Sequence, residues 1–323
     1  MSRQDTRRIV LTGVTGFIGG RAAAALARAR AAGAPLVLRG VGRSPAPEWW
    51  SEAGGEWVVA DLATPDTLRD VCRDATALVH LASRIGGDEE SCAAVNVTGT
   101  EALMADAVRH GVGRIVHLST AAVHGPGPHR GADPAGLVPQ PVSPASRTRL
   151  AGERYALDAG AVVLRPGLVL GGGDRWVVPV VAELLARVPG RWDGGKARLS
   201  VVEVKDLARL IAALAVSPEP VAPGVYHASH PEPVRVGDLL DRLVDVGVLP
   251  PVPDRDLDWP ECLARLAATR GGPSERQLAL LAQDNWYRDD RIWRAAGCEP
   301  GPGVLARLDS SAGWYRDHLA SHW

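Results

Sequence analysis

The sequence predicts an α/β protein built on a doubly wound parallel sheet, with a smaller, discontinuous domain for substrate toward the C-terminus. The first observation is a short branched apolar run, Ile9-Val10-Leu11, followed by glycines at 13, 16 and 19 and an alanine-rich segment that stops at Gly33. The second is another apolar run, Leu36-Val37-Leu38, opening behind Pro35 at the distance one crossover helix needs. The third is length: 323 residues can bury one large domain or two smaller ones.

Strand, glycine turn, helix and strand make one βαβ unit of the Rossmann type. Gly13 permits the tight turn, Gly16 lets backbone come close to a pyrophosphate, and Gly19 lets the helix pack on the strand. A helix starting near Phe17 points its free N–H groups and positive dipole end at the phosphates. A site for NAD carries a carboxylate about 20 residues beyond the glycines, on the ribose 2′-hydroxyl. Here no carboxylate occurs between Asp5 and Glu48, and the second strand runs into Gly42-Arg43-Ser44. Arg43 can clamp a 2′-phosphate with a planar fork of donors, so NADP(H) is the expected cofactor. Arg21 and Arg39 add positive field in this reading.

The spacing Thr12-Gly13-Val14-Thr15-Gly16-Phe17-Ile18-Gly19 resembles the cofactor loop of extended short-chain dehydrogenases/reductases, of the NAD-dependent epimerase/dehydratase kind. The resemblance covers about residues 8 to 230. It implies a nucleotide domain over 1–170, completed by about 200–217, and a substrate domain over 171–199 and 225–323. Further strands follow at Glu56–Leu62, where Asp61 and Leu62 can hold adenine, and at Ala77–Ser83, where Leu81, Ala82 and Ser83 border the cofactor. Asp61 as a helix N-cap is the competing use. His80, inside an apolar strand, reads as a packed histidine. A helix from about Ser91 to His110, closed by Gly111, carries the family-like Asn96-Val97-Thr98-Gly99-Thr100.

The fifth strand, Arg114–Leu118, delivers Ser119-Thr120-Ala121-Ala122-Val123-His124-Gly125, similar to the family's S-[ST]-x-x-V-Y-G. By that likeness Thr120, with Ser119 beside it, hydrogen-bonds the reacting carbonyl, and His124 replaces a tyrosine. The loop from Pro126 to Pro144 is too long for a connector and is expected to wall or cover the substrate. A single sixth strand, Ala161 to Gly171, resembles R-P-x-x-V-x-G and puts Pro166 and Gly167 against the nicotinamide.

One departure governs the chemistry. The segment Ser143–Glu153 resembles S-P-Y-x-x-[ST]-K-L-x-x-E, yet the tyrosine and lysine positions hold Ala145 and Arg149. The residues four places after Tyr155, Tyr226, Tyr287 and Tyr315 are Ala159, His230, Arg291 and Leu319, so the pair is not displaced elsewhere. Arg149 can hold the nicotinamide ribose but stays charged, and Ala145 has no proton to give. His124 is the nearby titrating side chain that could stand in, against a plain loop histidine.

The substrate must then need little proton help. A ketone beside its own phenolic or enolic hydroxyl is such a case, and atypical family members lacking the pair include polyketide-tailoring ketoreductases, the angucyclinone enzymes of simocyclinone-type pathways among them. Trp176, Trp192, Trp259, Trp286, Trp293, Trp314 and Trp323 offer flat walls for an aromatic ketone, or core packing. The expected function is an NADP(H)-dependent ketoreductase of antibiotic biosynthesis. A catalytically silent NADP(H)-binding sensor and a sugar-nucleotide epimerase or dehydratase are the alternatives. A net charge of −1 gives no case for nucleic acid or anionic membrane, and four scattered cysteines without a C-x-x-C pair argue against zinc and disulfides. No metal and a cytoplasmic location are expected, the N-terminus lacking an apolar leader core. Oligomeric state is left open.

Overall fold

The computed structural model describes residues 6–288 and 290–321. Its main sheet is all-parallel, as expected. In chain order the first twelve strands are β1 (Arg7–Thr12), β2 (Leu36–Gly42), β3 (Glu56–Val59), β4 (Ala77–His80), β5 (Arg114–Leu118), β6 (His129–Ala132), β7 (Val162–Arg165), β8 (Leu168–Leu170), β9 (Arg191–Trp192), β10 (Arg198–Leu199), β11 (Val201–Glu203) and β12 (Gly224–His227). Seven of them form the sheet in the order β12-β7-β5-β4-β1-β2-β3. β1 pairs β2 on one side and β4 on the other, so the winding direction reverses at β1, and a crevice opens at the carboxyl ends of these strands.

Helix α1 (Phe17–Ala31) earns its alanines by packing: Ala22, Ala23 and Leu26 are fully buried on the sheet. They share a core with Leu207, Ala208 and Ile211 of the later helix Val204–Val216. The opposite face of the sheet packs Leu103, Met104 and Ala107 against Val10, Leu78 and Val163. A separate apolar cluster, which includes Val181, Leu184, Trp192, Leu240 and Tyr315, is built from residues from 168 onward.

Several expectations change. The helix after β4 is not continuous: it runs Glu89–Ala93, widens to a π-turn over Ala94–Gly99, and resumes at Thr100–Arg109. The widened turn puts Asn96 where its side chain bonds Arg84 backbone at both ends, Oδ1 accepting from N and Nδ2 donating to O, each at 2.8 Å. The sixth strand is two, β7 and β8, because Pro166 has no N–H for a ladder. β8 leaves the main sheet to pair with β11. The loop 126–144 contains β6, which pairs with the strand Asn285–Tyr287 at the edge of a small four-stranded sheet, and none of its residues lines the crevice. Strands three and four also end earlier than expected, at Val59 and His80. Among the described residues no helix is long and apolar enough to cross a membrane.

Candidate active site

A cleft of about 660 Å³ opens at the switch point. Thr12, Gly13, Thr15, Gly16, Phe17 and Ile18 line its floor, joined by Leu62, Leu81, Ala82 and Ser83. The glycine cradle is tight. Gly13 adopts a φ of +73°, and a Cβ there would stand 2.8 Å from the Ala82 backbone nitrogen; a Cβ on Gly19 would stand 1.9 Å from the Gly13 carbonyl oxygen. Thr12 has no hydroxyl left for a ligand. Its Oγ1 accepts from Leu81 N and Ala82 N, both at 3.1 Å, and gives its hydrogen to His80 Nδ1 at 2.7 Å. His80 Nε2 then donates to Thr100 Oγ1 at 3.1 Å, so the ring is neutral and structural; burial holds its pKa down at about 4.

At the far end of the cleft Val41, Gly42, Arg43, Ala60 and Asp61 form the wall. Arg43 is exposed, and among the described residues its guanidinium has no partner. Ser44 does not line the cleft; its carbonyl accepts from Trp57 Nε1 at 2.9 Å. Asp61 Oδ1 accepts from Ala63 N at 3.0 Å, a local turn cap, while its side chain still borders the cleft. Arg39 turns away, held by Glu56, and Arg21 donates to the Gly172 carbonyl at 3.0 Å. Neither of these two arginines lines the cleft.

The middle of the cleft holds Leu118, Arg149 and Gly167. Arg149 sits on the helix Pro144–Asp158, whose start is secured by a capping box of Ser143 and Ser146. One guanidinium nitrogen, Nη2, donates to the Leu118 carbonyl at 3.0 Å, while Nε is sealed from solvent without a partner. Burial drags its pKa down to about 10, with Glu153 acting the other way. Ala145 lies one turn earlier on the same helix and contributes nothing that titrates. Beside Arg149, the buried ring of His117 is 5.0 Å from that of His80, and burial keeps it neutral. Gly167 N donates to Ser229 Oγ at 2.9 Å, and Pro166 lies outside the lining, its carbonyl accepting from Ala121 N at 2.8 Å.

Ser119 is buried and donates to Glu153, which is also gripped by Arg165 through Nε at 3.0 Å. The serine is thereby committed to a buried ion pair. Thr120 is half-buried at the end of β5, and its Oγ1 accepts from Ala122 N at 3.2 Å, leaving its hydrogen free to donate. It stands two residues beyond Leu118 without itself lining the cleft.

His124 is not a loop side chain at all. Its Nε2 is 2.9 Å from Nε2 of His227, and both rings pack on Tyr287, with His129 at the edge. Burial, reinforced by the charge of Arg165, lowers His124 and His227 to about 3. A ring that is neutral, enclosed and outside the cleft lining is a poor proton donor to anything in the cleft. Of the seven tryptophans, Trp176 lines the cleft and is 63% exposed; Trp192 and Trp293 are core, Trp259 and Trp314 pack on the second cluster, Trp286 stacks under Arg198, and Trp323 lies outside the described residues.

Sequence reasoning missed Arg84, Ile85, Asp174 and Val177 in the lining. The available signal was the run Gly171-Gly172-Gly173-Asp174. Asp174 accepts from the backbone nitrogens of Trp176, Val177 and Val178 and from Tyr315 Oη, turning the chain across the cleft.

Residues 9–228 match the NAD dependent epimerase/dehydratase family, more than half of the chain. The chain belongs to that family. Among curated members, this epimerase/dehydratase-family protein is 29% identical to the 2-alkyl-3-oxoalkanoate reductase of Stenotrophomonas maltophilia, over 94% of this chain and 99% of that one. It is 28% identical to a dTDP-glucose 4,6-dehydratase of Streptomyces antibioticus, over 88% and 93%. Its fold is shared with a short-chain dehydrogenase/reductase superfamily protein of Agrobacterium tumefaciens with bound NAD, at a TM-score of 0.73, 23% identity and coverage of 98% and 99%. It is shared as well with the UDP-glucuronic acid 4-epimerase of Bacillus cereus in complex with NAD, at 0.72, 17%, and 97% and 99%.

Proposed function

We propose that this family member is an NADP(H)-dependent ketoreductase whose substrate supplies, or draws from water, the proton that most relatives take from a tyrosine. The observation that carries the reading is the pairing of Arg149, a partly unsatisfied cation in the cleft, with Ala145, an empty acid position. The cradle fits a nicotinamide dinucleotide: Gly13 and Gly19 leave no room for a Cβ, and the orphaned Arg149 Nε asks for an acceptor such as a ribose oxygen. Arg43 would take the 2′-phosphate. When bound, the dinucleotide supplies the hydride.

The chain's own part is positioning. Arg149 orients the ribose and keeps its charge, so it moves no proton. Thr120 can donate its free hydroxyl hydrogen to the substrate carbonyl oxygen. Loss of an acid–base side chain forfeits ~10²–10⁴-fold, whereas holding two reactants in line can remove roughly 7–11 kcal/mol of barrier. A ketone with an acidic neighbour compensates for the first and keeps the second. Polycyclic aromatic ketones of antibiotic pathways have phenolic or enolic neighbours, whereas a 3-oxoalkanoate, ionised at neutral pH, would draw its proton from water. Ile85 and Trp176, exposed at the cleft, give an apolar lip suited to either.

A second reading, a sugar-nucleotide epimerase or dehydratase, is favoured by the likeness to dTDP-glucose 4,6-dehydratase. The likenesses support it more directly than they support a polyketide substrate or an antibiotic pathway. It requires oxidation of an ordinary alcohol, for which position 145 offers no base. The test is NADPH and NADH absorbance with hydroxylated polycyclic ketones and 2-alkyl-3-oxoalkanoates, beside product analysis with dTDP-glucose and UDP-glucuronic acid. Ketone turnover that persists in His124→Phe supports the proposal. Conversion of a sugar nucleotide moves the assignment to the second reading, and binding with no turnover makes the chain a silent dinucleotide-binding protein.

A further inference from the structure

We propose that Trp57 sets the place of Arg43 and so acts as a positioning residue for selection of the 2′-phosphorylated dinucleotide. The inference rests on the NADP(H) reading above. Trp57 stands on β3 opposite Gly40 of β2. Its ring lies on bare backbone: a Cβ on Gly40 or Gly42 would be 2.5 or 2.6 Å from the indole. The last residues of β2 are therefore shaped by this ring, with Gly42 immediately before Arg43. On the other side of Arg43 the indole Nε1 donates to the Ser44 carbonyl at 2.9 Å. One side chain thus pins the residues flanking Arg43 both before and after it.

The indole is itself backed. Trp50 meets it edge-on at a ring separation of 6.0 Å, and Trp50 Nε1 donates to the Glu56 carbonyl at 2.8 Å. The Glu56 carboxylate is held by Arg8 and Arg39. Arg43, by contrast, has no partner of its own among the described residues, and it lines the cleft. A long exposed side chain loses conformational freedom when it binds an anion, and a fixed backbone lessens that loss. Without the indole, Arg43 would keep its charge and lose its address.

The experiment is isothermal titration of NADPH and NADH against the wild type, Arg43→Ala, Trp57→Phe and Trp57→Leu, with melting curves to check folding. The wild type should favour NADPH and Arg43→Ala should erase the preference. Trp57→Phe, which keeps a ring and loses the N–H, should weaken NADPH about threefold, and Trp57→Leu about tenfold, with NADH nearly unchanged. If Trp57→Leu does not fold, trypsin cleavage after Arg43 gives a second readout: faster in Trp57→Phe than in the wild type, and suppressed by NADPH. Equal weakening of both dinucleotides by the Trp57 variants, or no weakening, overturns the inference when Arg43→Ala has erased the preference. A wild type with no preference and a silent Arg43→Ala overturns the NADP(H) reading itself, and the role of Trp57 with it.

Discussion

Replacing Arg149 with methionine should make the ligand-free protein more stable and its dinucleotide binding weaker. The guanidinium makes one bond, to the Leu118 carbonyl, keeps Nε sealed without a partner, and has its pKa lowered to about 10 by burial. A lowering of that size penalises the charged form by roughly 3 kcal/mol. The residue as a whole is half-buried, which screens part of that. Losing the Leu118 bond costs about 1 kcal/mol, so the expected gain is on the order of 1–2 kcal/mol, or a few degrees in Tm. A methionine of similar reach fills the space. The assay is thermal melting with and without NADPH: the apo midpoint should rise while the ligand-induced shift shrinks. A variant that melts lower than the wild type, or binds NADPH as well, would refute the view of Arg149 as a cation waiting for the cofactor.

Acid should unfold this protein early. His80 near 4, and the joined His124 and His227 near 3, are neutral in the fold and free to protonate once unfolded. The unfolded chain therefore binds more protons below about pH 6.5, and stability falls as pH falls: at pH 5 His80 alone accounts for roughly 2 kcal/mol. Urea midpoints at pH 8, 6 and 5 check this, a flat profile being the contrary result. Gly19→Ala forces a Cβ against the Gly13 carbonyl and should cost about 1–3 kcal/mol and abolish dinucleotide binding, read by melting and titration. Glu153→Ala strips the buried Arg165 of its carboxylate and Ser119 of its acceptor, and should lower stability by about 3–5 kcal/mol in urea.

Much of the nucleotide half was legible because its signals are local. Glycine spacing, branched runs of strand length, the Gly33 stop and the Ser143 cap act within one turn of chain; α1, β2 and β5 begin where those signals put them, and β1 starts two residues before Ile9. The gap in carboxylates before Glu48 and the replacement of Tyr and Lys by Ala145 and Arg149 are likewise facts of composition at a position. What the chain alone left open was decided by contacts between distant residues. His124 meets His227 across 103 positions, so a presumed loop histidine became a buried pair. Ser119 was taken by Glu153 from the helix Pro144–Asp158, and His129–Ala132 of the 126–144 segment was claimed as an edge strand by Asn285–Tyr287. Whether a polar group faces a ligand or a neighbour depends on which surfaces desolvate it, and that is settled only when the elements pack.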